Sequence, residues 1–95
     1  MSKPYSEMTM EERLADKRER ISGRHVQIMQ WSNKAEKRVP VAEGVIVDVT
    51  RIDAPDMVEA GWLSPHGDGK IYGYVVVLTT GERQTYRASD LHWEQ

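Results

Sequence analysis

Two rhythms of apolar residues run along this chain, and one replaces the other near residue 24. Between Thr9 and Gly23 the apolar positions are Met10, Leu14 and Ile21, roughly on one side of a helix, with Ala15 adding little. The segment opens on Thr9-Met10-Glu11-Glu12, a capping-box pattern. In that pattern Thr9 accepts from the amide of Glu12, and the Glu12 side chain reaches back to the amide of Thr9. The interior is rich in strong helix formers, Asp16 and Arg20 stand four apart, and Gly23 supplies a stop. A helix is therefore expected over 9–23. The patternless residues 1–8 before it are expected to be disordered. The apolar stripe is narrow, and a free helix of this length is marginal in water. It is expected to dock on the remainder of the chain.

From His25 the period falls to two. Val26 and Ile28 alternate with Gln27 and Met29, which predicts a first strand. Residues 32–40 read as a polar loop closed by Pro40. Val45, Val47, Val49 and Ile52 then alternate with Ile46, Asp48 and Thr50 in a second strand, and Gly44 permits a bend or bulge at its start. Ile71 to Thr79 is the strongest strand. Tyr72, Tyr74, Val76 and Leu78 share one face, Ile71, Val75 and Val77 the other, and apolar character on both faces places it inside a sheet. Thr79-Thr80-Gly81-Glu82 is a tight hairpin turn, Arg83 to Arg87 the return strand, and Ala88 to Leu91 a single helical turn before a short closing strand.

Between these strands lies the long segment 53–70. It holds room for one helical turn, with Asp53 as cap and Pro55 in the first turn, and then a run of turn residues. Loops of this length in small domains are often functional. This one carries Trp62 and Leu63, either folded back as a lid or displayed to a partner.

The order of these elements resembles the SH3-like barrels of the Tudor and KOW type. The resemblance rests on Gly44-Val-Ile-Val-Asp-Val, on Tyr74-Val-Val-Val-Leu-Thr-Thr-Gly81, and on Tyr86-Arg-Ala-Ser-Asp90-Leu91. It covers 25–95 loosely and 72–91 well. It implies a mainly β fold, a small SH3-like barrel of about five strands preceded by one N-terminal α-helix. The chain then divides into 1–8, the helix 9–23, and a barrel 24–95 with its 53–70 loop. A narrower stretch, Arg83-Gln84-Thr85-Tyr86, resembles the Val-Gln-Ile-Tyr segment of the plasmid-borne type II dihydrofolate reductases. That resemblance implies Gln84 and Tyr86 lining a pore between four chains. Thr85 stands where the motif has Ile, and His25-Val26-Gln27-Ile28 holds no counterpart of the family's first-strand Lys.

Composition narrows the choice. The 95 residues make one domain. There is no Cys, which excludes disulfides, thiolate metal sites and a cysteine nucleophile. There is no Phe, but three Trp, four Tyr and abundant Val favour strands. No apolar h-region or membrane-length run occurs, so a cytoplasmic location and no membrane association are expected. The net charge of -2 divides into +3 over residues 1–40 and -5 over residues 41–95. A basic arm suits an acidic partner, and the acidic body would repel a phosphate backbone.

The three histidines, His25, His66 and His92, predict no convergent metal site, and Ser64, His66 and Asp68 in one turn-rich loop do not make a hydrolase triad. No catalytic residue, metal ligand or cofactor is expected. The best reading is a non-enzymatic protein-binding module, an accessory or inhibitory protein of the kind phages and mobile elements carry. Its candidate binding residues are Trp31, Trp62, Leu63, Tyr72, Tyr74, Arg83, Gln84, Tyr86 and Trp93. Two alternatives stay open. A nucleic-acid-binding SH3-like domain would stack bases on Trp31, Tyr72, Tyr74 and Trp93, with Arg83 and Arg87 on one strand face. A reductase would need a tetramer and NADPH. The oligomeric state is left open.

Overall fold

Local chemistry starts the structure. In the computed structural model, which describes residues 4–93, Thr9 caps helix α1 (Met10–Ile21) and both halves of the capping box form. The Glu12 amide donates to Thr9 Oγ1 at 3.1 Å, and the Thr9 amide donates to Glu12 Oε1 at 3.4 Å. Asp16 pairs with Arg20 at 3.0 Å along the exposed side. Residues 1–3 of the expected disordered N-terminus lie outside the described residues, and Tyr5–Glu7 forms a single 3-10 turn.

Five strands follow: β1 (His25–Ser32), β2 (Lys37–Asp53), β3 (Lys70–Leu78), β4 (Arg83–Arg87) and β5 (Leu91–Trp93). They form one antiparallel sheet in the order β4-β3-β2-β1-β5. The expectation of a mainly β fold of about five strands preceded by one helix is met. A five-residue helix, α2 (Pro55–Glu59), interrupts the β2–β3 connection, and a 3-10 turn (Ala88–Asp90) joins β4 to β5.

The core is small and aliphatic. Val26, Ile28, Ile46, Val49, Val76, Leu78 and Leu91 are buried around Tyr74. Each fully buried branched side chain contributes roughly 1.5–3 kcal/mol. Leu14 and Ile21 of α1 pack against this cluster, so the helix docks as its stripe predicts. No residue of α1 is buried, and polar contacts complete its attachment. Arg18 Nε donates to the Val49 carbonyl at 3.0 Å and pairs with Asp48 at 2.6 Å. The Lys17 ammonium lies 4.8 Å from the centre of the Tyr72 ring and 5.8 Å from that of Tyr74.

Strand β2 departs from the expected alternation at two points. Ile28 faces Ala42 and Met29 faces Pro40, so Val41 is an extra residue in β2. Ile46 faces Val76 and Asp48 faces Val75, so Val47 is another. Each bulge flips the alternation. The core residues of this strand are therefore Ile46 and Val49, not Val45, Val47 and Val49 together, and Val47 is 38 % exposed. Gly44 is not itself bulged. It passes in register between Val26 and Leu78, so close to β3 that a Cβ would stand 2.5 Å from the Val77 carbonyl oxygen.

The expected polar loop over 32–40 is mostly strand. Ser32 pairs with Lys37 across a four-residue turn in which Glu36 takes φ 54° and Ser32 Oγ accepts the Ala35 amide at 3.2 Å. Pro40 fits because it sits at the bulge and on the side of β2 where β3 has not yet begun. Strand β5 pairs only with Val26–Ile28, and β3 pairs with β2 only from Gly44 onward. Residues 29–32 and 37–40 thus form a two-stranded ribbon beyond both neighbouring strands.

Candidate functional site

The region with the most varied chemistry is the corner where β4 ends. Strand β3 begins at Lys70, but its pairing with β4 stops at Gly73–Arg87, where the chain turns away into the 3-10 helix. The notch this leaves is walled on its other side by α2. It forms a cleft of about 350 Å³ lined by Met57, Ile71, Tyr72, Tyr74, Arg87 and Ala88. A few polar groups in an apolar concavity is the usual character of a recognition pocket.

Helix α2 is too short to stand alone, and its expected cap is missing. Ala54 occupies the cap position and no side chain bonds the helix start, so Asp53 does not cap it. A bidentate ion pair holds it instead. Arg87 Nη1 and Nη2 donate to the two Asp56 oxygens at 2.7 and 2.8 Å, across 31 residues of sequence. The Arg87 hydrogen bond draws the Asp56 carboxyl from its ordinary 3.8 down to about 2, so the clamp stays closed through neutral and mildly acid pH. The same contact raises Arg87.

Beyond α2 the chain folds back on itself. The amides of Trp62 and Leu63 both donate to the Met57 carbonyl, at 2.9 and 3.2 Å, which ties their backbone to the helix that walls the cleft. Trp62 is 77 % exposed, whereas Leu63 is half-buried. The segment carrying them closes on the sheet through Asp68, which takes two hydrogen bonds from Arg51 at 2.8 and 3.0 Å and one from the Lys70 amide. Those donors hold the Asp68 carboxyl below its ordinary range, Arg51 contributing most. Asp68 therefore braces the loop and does not join His66 and Ser64. On the far side of α2 a more open groove of about 590 Å³ runs between Asp53, Pro55, Val58, Glu59 and Asp68.

Strand β4 supplies the third side of the corner. On one face Tyr86 donates to Gln84 at 3.0 Å, and Gln84 donates to Glu82 at 3.1 Å. Burial, then the charges of Glu82 and Asp90, raise the Tyr86 hydroxyl, which keeps it a donor. On the other face stand Arg83, Thr85 and Arg87, with Arg83 and Thr85 exposed. Gln84 and Tyr86, which the reductase resemblance implies in a pore between chains, here bond to each other on the sheet's end strand.

Seven of the nine sequence-predicted binding residues thus gather on adjoining elements: Trp62, Leu63, Tyr72, Tyr74, Arg83, Gln84 and Tyr86. Tyr74 is buried, although it contributes to the cleft lining. Trp93 meets the Tyr74 ring edge-on at 5.5 Å and is half-buried, a packing contact. Trp31 stands apart on the ribbon, 63 % exposed, with its indole N–H on Asn33 Oδ1 at 3.0 Å. Sequence reasoning missed Asp56, Met57 and the structural part of Arg87. Their only sequence signal is the position of Asp56 in the first turn after Pro55.

Among the described residues no group of three or more His, Asp or Glu side chains could hold a metal ion, and no helix is long and apolar enough to cross a membrane. The chain matches no family model, no curated protein and no solved structure.

Proposed function

We propose that this protein is a non-enzymatic protein-binding module that meets its partner at the corner of α2, β4 and Trp62. One observation carries the reading. Trp62, 77 % exposed, has its backbone amide on the Met57 carbonyl of the helix that walls an apolar cleft, and that helix is locked to β4 by the Asp56–Arg87 clamp. A braced concavity and an exposed aromatic carried on the same short segment suit a protein hot spot, where Trp, Tyr and Arg are enriched. The test is affinity capture from a lysate of the cells that make the protein, with nuclease, comparing wild type with Trp62→Ala. A protein retained by wild type and released by Trp62→Ala is the expected result. Equal retention by both sinks the reading.

A second reading has its own support. The ribbon carries Lys34, Lys37 and Arg38 against one acid of its own, Glu36, with Arg38 paired to Asp90 at 3.4 Å, and displays Trp31 and Val41, the latter 52 % exposed. A two-stranded ribbon is one of the shapes a duplex major groove admits, and an aromatic side chain can stack on bases. Binding of this kind weakens steeply with salt. A titration with fluorescent DNA and RNA at two salt concentrations, using wild type and Trp31→Ala, separates it from the protein-binding reading.

A further inference from the structure

The two end strands of the sheet are treated differently. Strand β5 is three residues long, with Leu91 buried. Strand β4 is five residues long, and among the described residues no strand pairs with its outer side. The hydrogen-bonding direction along β4 follows from its first bond. The Leu78 amide donates to the Glu82 carbonyl at 2.8 Å, and the β3–β4 register runs without a shift. Gln84 and Tyr86 therefore direct their backbone groups toward β3, and Arg83, Thr85 and Arg87 direct theirs outward. This outward row ends at Arg87, which also lines the cleft.

We infer that β4 and the cleft together accept an extended segment of another protein by strand addition. The segment carries an acidic residue and a large apolar residue four positions apart. The inference rests on the protein-binding reading and gives it a mode. Backbone bonds to an open edge supply affinity, and side-chain pockets at alternate positions supply selectivity. Arg83 and Arg87 share a face at a spacing of four, so partner residues opposite them share that face too. The Arg87 charge is already answered by Asp56, whereas Arg83 is exposed, so the acid belongs opposite Arg83. The residue opposite Arg87 stands at the mouth of the cleft, where Met57 and Ile71 offer apolar contact.

Charge also decides against a second copy of this chain as occupant. Two antiparallel β4 strands related about Thr85 would set Arg83 of each against Arg87 of the other, a like-charge pairing that destabilises strands. A basic edge discourages self-association and leaves room for an acidic segment.

The experiment selects binders from a displayed library of random linear peptides and studies the synthesised winners with nitrogen-15-labelled full-length protein. The expected consensus has an acidic and a large apolar residue four apart. The amides of Arg83, Thr85 and Arg87 should become protected from hydrogen exchange when peptide is added. Thr85→Pro deletes one outward donor and no ladder bond, and proline is tolerated on such an edge. It should weaken binding roughly three- to tenfold, the worth of one hydrogen bond. Arg83→Glu, which leaves the edge amides in place, should weaken it roughly tenfold or more. Thermal unfolding of both variants confirms that they fold.

Peptides that bind with those three amides still exchanging freely, or that bind Thr85→Pro and wild type alike, overturn strand addition. If such peptides still depend on Trp62, the protein-binding reading stands without this mode. If no peptide is selected and the lysate yields no Trp62-dependent protein, both fall.

Discussion

Strand β2 is one continuous stretch of backbone with two different lives. From Gly44 to Asp53 it lies between β1 or α1 and β3, and Ile46 and Val49 are fully buried. From Lys37 to Val41 the one strand beside it is β1, with Arg38 reaching Asp90 at 3.4 Å, and Val41 is 52 % exposed. Both halves are rich in valine, so composition does not separate them. What separates them is whether a second strand is present to cover the face. Burial is a property of neighbours, and hydrophobicity becomes stability only where neighbours exclude water.

Several substitutions break or sharpen that comparison. The largest effect is expected for Ile46→Ala, which leaves a cavity in the close-packed half and should cost roughly 2–5 kcal/mol. For a domain of this size each 1 kcal/mol shifts the unfolding midpoint by roughly 4–8 °C, so thermal denaturation resolves it easily. Its counterpart Val41→Ala, on the ribbon, should change stability by less than about 0.5 kcal/mol. Equal losses at the two positions would erase the distinction between the halves.

Gly44→Ala comes next. The added methyl would stand 2.5 Å from the Val77 carbonyl oxygen and 2.7 Å from Val76 Cγ1, and backbone cannot yield as a side-chain tip can. A loss of roughly 1–3 kcal/mol is expected, read from the urea midpoint. A neutral result would show that β2 and β3 can separate where the structure brings them closest. Trp31→Ala should leave the urea midpoint within about 0.5 kcal/mol of wild type, because the side chain is 63 % exposed and its indole N–H bonds within its own turn. A larger loss would mean the ribbon packs on the body.

The smallest effect concerns the clamp on α2. The Asp56 carboxyl titrates near 2 in the folded protein against an ordinary 3.8, so its contribution to stability is complete above the ordinary value and falls as pH drops toward 2. The midpoint difference between wild type and Asp56→Asn should therefore be constant from neutral pH to about pH 5, shrink below pH 4, and disappear as pH falls through 2. A difference that grows on acidification would show that another group holds α2 in place.

Legibility from the sequence varied with the range of the interaction. The capping box at Thr9 and Glu12 was readable because both partners lie within four residues. The β3–β4 hairpin was readable because β3 is apolar on both faces and Gly81 takes the φ of 93° its turn needs. The ribbon was misread as a loop because Ser32 to Pro40 is polar, and a polar hairpin held by one partner strand leaves no burial pattern. The unbroken alternation expected of β2 fails because the extra residues at Val41 and Val47 exist only relative to strands that pair with them. At the candidate site the aromatic and basic residues were singled out by type. Asp56 and Arg87 were not joined, because nothing local couples residues 31 positions apart.

The sequence by itself determined what each segment can be: a capped helix after Thr9, strands where apolar residues alternate, a reversal at Gly81, and a long connection over 53–70. Those outcomes follow from backbone sterics and hydrogen bonds within a few residues. The tertiary structure alone decided which valines are core, where β2 bulges, that α2 is held by Arg87 without a cap, and that β4 keeps an open edge beside a cleft. Those depend on which strands lie side by side, and sheet pairing is settled by the whole chain packing at once, after every local preference has been met.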